Sequence, residues 1–200
     1  MTLCHCNIRV ELREVMLANK PDAMLQASGK GTVPILVLKN KTVLDQSLEI
    51  MRWAIDRSYP DKSNPDSWSV QGSSELENHL IKINDFEFKR LLDGYKYGQS
   101  SASLARIDYR DKAEEFLEQL ENLLAENVFL LGETKSLADV SVFPFIRQFA
   151  GVDPIWFGKS NYKRLAVWLD SFTKSDLFSK SMTKYPIWEP GSPDKTYYFN

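Results

Sequence analysis

The sequence predicts an α/β segment joined to an all-helical bundle, and three observations carry that reading. Residues 8–15, "IRVELREV", alternate Ile8, Val10 and Leu12 against Arg9, Glu11 and Arg13, the two-residue period of a half-buried strand. Two short apolar runs, "ILVL" and "TVLD", flank Lys39, Asn40 and Lys41 and read as a hairpin, with Asn40 suited to the left-handed backbone of a tight turn. Beyond the polar, doubly proline-bearing stretch 57–68, "RSYPDKSNPDSW", every apolar pattern has the helical period.

The bulk properties exclude several classes. The 200 residues are 43% hydrophobic and 26% charged, ordinary for a soluble globular protein and long enough to bury a sizeable core. A formal charge of −2 with no basic stripe gives no long-range attraction to nucleic acid. Runs such as "VPILVL" are too short to span a bilayer, so no membrane contact is expected. The start, "MTLCHCNIRV", lacks the basic and then apolar pattern of a secretory signal. Cys4 and Cys6, with His5 and His79, are too few for a disulfide framework or a structural zinc site, so no metal is expected. Together these point to a reduced, cytoplasmic protein.

Taken in order, the remaining elements follow from local chemistry. Pro21 suits the first helical position of a short helix that Gly29 stops. From Gln46 the period becomes helical, with Ser47, Ile50, Met51 and Ala54 on one face. Leu76, Leu80 and Ile83 open a further helix. Tyr109, Ala113, Phe116, Leu120, Leu123 and Leu124 stripe a long one, and Leu165, Trp168, Leu169 and Phe172 mark a later one. Ser136 stands three residues before Asp139, a capping-box spacing, and no histidine accompanies the pair to suggest catalysis. Pro144 lies deep enough in that helix for a kink to be expected. The domains are therefore expected at 1–57 and 73–200, with 58–72 as linker.

Five stretches in register, "LANKPDAML", "GTVPILVL", "VLDQSLEIMRW", "FLLGETKSLADVSVFPFIRQFA" and "SDLFSKSMTKYPIW", resemble the glutathione S-transferase family, in its omega-like and bacterial cysteine-using branches. The resemblance implies a thioredoxin-like first domain followed by the family's helical domain, a homodimer, and glutathione as co-substrate. It implies that Val33, ahead of a cis Pro34, pairs through its main chain with the tripeptide. Gln46 and Ser47 would then receive the γ-glutamyl carboxylate at a helix N-terminus, where free N–H groups and the macrodipole favour an anion. Lys20 matches a lysine that approaches the other carboxylate. The acceptor would be a small hydrophobic electrophile or a disulfide, with Phe86, Phe88, Tyr95 and Tyr97 as candidate liners, although aromatics at such spacing are more often core or dimer interface.

The sequence departs from the family at the front. The family places a strand and a helix before the element matching 8–15, with the thiol-activating residue between them, yet seven residues precede Ile8. A crossover needs a dozen or more residues. "MTLCHCN" resembles only the end of that helix, so Cys4 and Cys6 are not assigned as nucleophile and no catalytic residue is named. Half a dozen buried apolar side chains, at about 1.5–3 kcal/mol each, rival a domain's net stability, so such a strand is not simply dispensable. Three resolutions are open: the natural protein begins further upstream, which is the one expected; strand 8–15 moves over to pair with 35–38; or a second copy covers the gap. The alternative function is a non-catalytic binding or dimerisation module of the same fold.

Overall fold

The alternation in residues 8–15 folds as extended chain, with Ile8, Val10 and Leu12 half-buried and Arg9, Glu11 and Arg13 exposed. Its ladder is short. Strand β1 (Val10–Glu11) pairs antiparallel with β4 (Thr196–Tyr197), Val10 opposite Tyr197 and Glu11 opposite Thr196. This computed structural model describes residues 1–68, 74–98, 103–191 and 196–197. It divides into two units by contact, Met1–Pro60 with Asp176–Asn200, and Asp61–Ser175. The sequence boundaries at 57 and 73 follow pattern along the chain. Contact groups residues 176–200 with the first unit, where the sequence reading carried the helical domain through to 200.

In the first unit, α1 (Thr2–His5) is a single turn, and its Cys4 and Cys6 are buried with relative exposures of 9% and 8%. Helix α1 contacts α3 (Ser47–Ser58), which buries Ile50, Ala54 and Ile55. Helix α2 (Asp22–Ala27) begins one residue after Pro21, whose fixed φ of −68° prepares the turn, and it ends at Ser28. Strands β2 (Leu36–Val37) and β3 (Val43–Leu44) form the expected hairpin, Leu36 opposite Leu44. The positive φ in its turn belongs to Lys41 (68°) and not to Asn40. Asn40 instead accepts the Thr42 N–H at 3.1 Å through Oδ1, using its side chain where the sequence suggested its backbone.

Among the described residues β1–β4 and β2–β3 are separate two-stranded sheets. Strand 8–15 does not move across to pair with 35–38. The tail supplies a partner the sequence did not announce: the Trp188 N–H donates to the Glu14 carbonyl at 2.8 Å, and the Arg13 guanidinium lies 4.7 Å from the Trp188 ring centre. Helix α10 (Asp176–Ser181) contacts α1.

The second unit is helical. It comprises α4 (Ser74–Ile83), a π-helical turn Asn84–Phe88, α5 (Lys89–Tyr97), α6 (Ser103–Glu126), α7 (Leu137–Ala150), α8 (Pro154–Lys159) and α9 (Lys163–Thr173). Its core holds Leu80, Phe88, Leu117, Leu120, Phe143, Ile146, Phe149, Leu165 and Phe172, all under 2% exposed. Phe88 lies 5.1 Å from Phe116 and 5.4 Å from Phe149 between ring centres, and Tyr95 lies 5.0 Å from Phe149. Those two aromatics are core and do not line an acceptor pocket; Phe86 and Tyr97 are more than 70% exposed.

The Ser136–Asp139 box closes as its spacing predicts, and Asp139 does more than cap. Its carboxylate accepts the Leu130 N–H at 2.9 Å, the Ser136 N–H at 2.9 Å and the Trp168 Nε1–H at 2.8 Å, pinning α7 to α9 and to the loop before it. Burial pushes this carboxyl above its ordinary pKa, against the pull of those donors. Pro144 lies inside α7, which runs on to Ala150.

Candidate functional site

The candidate site residues fall on three elements of the first unit. Val33 and Pro34 stand just before β2, joined by a cis peptide bond, and Val33 is 48% exposed. An exposed residue at a strand's start keeps main-chain groups available for an extended peptide. Gln46 caps α3 from an extended backbone (φ −120°, ψ 133°), and Ser47 is its first helical residue; both are exposed. The first helical hydrogen bond runs from Ile50 N–H to the Gln46 carbonyl at 3.1 Å, so the amides of Ser47, Leu48 and Glu49 precede the ladder. Lys20 is half-buried immediately before Pro21.

One neighbour was not anticipated from the sequence. Asp45, directly ahead of Gln46, accepts from Lys30 Nζ at 2.7 Å and from Ser28 Oγ at 2.7 Å. The hydrogen bond from the Lys30 ammonium, then that from Ser28, holds the Asp45 carboxyl below the usual carboxylate range. A charged Asp45 with Lys30 against it sets a fixed ion pair at the mouth of α3. The signal available in the sequence was an acidic residue at the foot of a helix, with a lysine fifteen residues earlier, too distant for any local rule.

These residues do not share one cavity. Val33 lines a pocket of about 160 Å³ with Pro21, Met24, Ala27 and Trp188, whereas Gln46, Ser47 and Lys20 are not among its lining residues. That volume is below the roughly 300 Å³ at which closed ligand sites begin. Among the described residues, no group of three or more His, Cys, Asp or Glu side chains is placed to hold a metal ion. Nor is any described helix long and apolar enough to cross a membrane.

Comparison with known proteins assigns the family. Residues 1–57 match the glutathione S-transferase N-terminal domain, and residues 87–171 match the glutathione S-transferase C-terminal domain. The chain belongs to the glutathione S-transferase family. Its fold is a thioredoxin-like domain with the family's helical domain, here with two short two-stranded sheets among the described residues. Similar solved structures include the ternary complex of BphK, a bacterial glutathione S-transferase (20% identity, TM-score 0.73, 90% of each chain covered). A sphingomonad glutathione S-transferase complexed with glutathione is 18% identical, with TM-score 0.69 over 90% of this chain and 89% of that one. A glutathione transferase of Phanerochaete chrysosporium, in complex with oxidized glutathione, is 17% identical, with TM-score 0.73 over 90% and 86%. No curated protein matches the sequence.

Proposed function

We propose that this family member binds glutathione on its first unit and transfers it to a small hydrophobic electrophile or exchanges it with a disulfide. The cysteinyl unit of the tripeptide pairs with the main chain of Val33, ahead of Pro34. Its γ-glutamyl carboxylate meets the amides that open α3 and the hydroxyl of Ser47, with Gln46 beside it, and Lys20 serves the second carboxylate. The observation that carries this reading is the exposed first turn of α3 in a chain of this family, its amides ahead of the helical ladder. Asp45 does not repel the ligand's carboxylate at full strength, because Lys30 sits 2.7 Å from it. The family habit supports a homodimer, and the cysteine usage supports the cytoplasm.

Burial of Cys4 and Cys6 favours a second reading, a non-catalytic module that keeps the fold for binding or dimerisation. A buried thiol is a poor partner for thiol exchange. Calorimetric titration with glutathione separates the outcomes. Binding weakened about ten- to 150-fold by Ser47→Ala, as loss of one hydrogen bond to a charged group predicts, supports the site. Binding without conjugating or thiol-transfer turnover supports the module, and absence of binding overturns the glutathione reading.

A further inference from the structure

The two halves of the glutathione grip stand on either side of one hairpin. Val33 precedes β2, and Ser47 follows β3 as the first residue of α3. At the hairpin's base Leu36 lies opposite Leu44. Just outside that base the chain is joined by a polar clamp. Ser28 Oγ donates to Asp45 Oδ2 at 2.7 Å and Lys30 Nζ donates to Asp45 Oδ1 at 2.7 Å, across 17 and 15 positions of the chain. Both carboxylate oxygens are thus engaged, by two side chains of one loop.

That loop is itself held. Ser28 is 6% exposed, and its Oγ also accepts the Lys30 N–H at 3.4 Å. The Gly31 N–H donates to the Ser28 carbonyl at 3.2 Å and closes a turn. Gly31 has a φ of 60°, and a Cβ there would stand 3.3 Å from the Leu25 side chain of α2, so glycine suits the position on both counts. Hydrogen bonds between charged groups are short and among the stronger ones. The Asp45 side chain is only 20% exposed, so solvent screens it less than an open surface charge. The clamp therefore fastens a turn that ends shortly before Val33 to the residue that precedes Gln46 and Ser47.

A ligand held at two points gains from the second only where the protein already keeps both at the ligand's own spacing. Where it does not, binding must order them, and affinity falls. We propose that Asp45, with Ser28 and Lys30, is a positioning residue of the glutathione site. It holds the main chain of Val33 and the first turn of α3 at the spacing the tripeptide needs, without touching the tripeptide. The inference rests on the glutathione reading and adds to it what fixes the distance between its two halves.

The test titrates the full chain with two probes, glutathione and γ-glutamyl methylamide, under conditions where urea unfolding shows every variant folded. Lost stability alone then moves neither affinity. The methylamide carries only the end that meets α3, so it is blind to the spacing. Asp45→Ala is expected to bind glutathione about ten-fold more weakly and the methylamide no more weakly than the unaltered chain. Ser28→Ala and Lys30→Met, which leave Asp45 in place, shift glutathione affinity in the same direction. Ser28→Ala adds little on top of Asp45→Ala, as two members of one clamp require. If Asp45→Ala does not fold, Lys30→Met carries the same comparison. Equal weakening for both probes means that Asp45 contacts the γ-glutamyl end directly, and it overturns the positioning role. Unchanged glutathione affinity in the folded variants overturns it as well and leaves the glutathione site standing. No glutathione binding by the unaltered chain overturns both readings.

Discussion

Across residues 7–49 of the first unit, only Ser28 and Gly31 are buried. Every apolar side chain there, from Ile8 to Leu48, keeps part of its surface in solvent. The helical unit, in a stretch of similar length from 113 to 149, buries Ala113, Phe116, Leu117, Leu120, Leu130, Val142, Phe143, Ile146 and Phe149. The two regions have comparable apolar patterning, so the difference lies in partners. A helix stripe finds another stripe within its own bundle. A strand's apolar face requires a sheet wide enough to close over it, and the two short ladders here do not join.

The largest expected effect tests that contrast directly. Phe143→Ala, in the stacked cluster where Phe172 lies 4.7 Å away, should cost about 3–5 kcal/mol in urea unfolding. Leu38→Ala, at a half-buried position next to β2, should cost about 1 kcal/mol. Equal losses would mean that the sheet region is as closed in solution as the helical core, and the contrast would fail.

A smaller loss is expected from Asp139→Ala, about 2–4 kcal/mol, because the Leu130, Ser136 and Trp168 donors lose their acceptor inside the core. Asp139→Asn should recover part of this, since one oxygen can still serve two of the donors. The indole reports the change through its fluorescence. If Asp139→Ala leaves both stability and fluorescence untouched, the helical unit is not organised around this carboxylate.

The smallest effect sharpens the other side. Asp45 has a folded-state pKa below its unfolded value, so its pairing with Lys30 and Ser28 contributes stability at neutral pH and above the unfolded pKa of about 3.8. That contribution is lost as pH falls through the lower, folded value. Asp45→Asn should therefore lower the melting temperature slightly at pH 7 and leave it unchanged once both states are protonated. Because the Lys30 side is exposed, salt should also shrink the difference at pH 7. A difference that persists in acid would exclude ionisation of Asp45 as its source.

Much of the helical unit was legible in advance because its signals are local. The stripes from Leu76, Tyr109 and Leu165 each produced a helix, and Ser136 with Asp139 declared a cap by their spacing alone. The hairpin around Asn40 was legible as a turn but misplaced by one residue, since Asn40 and Lys41 divide the work between side chain and backbone. What failed to show was long-range: the Lys30–Asp45 pair, the Trp168 indole reaching Asp139, and above all Trp188 meeting Glu14 and Thr196–Tyr197 pairing with β1. No periodicity encodes which distant segment will meet an unpaired strand. Phe88 and Tyr95 illustrate the same limit, since helical spacing shows that aromatics share a face but not whether that face meets the core or a ligand.

The register of Val10 with Tyr197 has a temporal meaning as well. A ribosome adds about 5–20 residues per second, so Val10 is made roughly 10–40 s before its partner. Residues 61–175 form a contact unit of their own, all of it made before the tail. The opening segment is thus the last to be completed, and while translation continues its custody falls to whatever holds nascent chains.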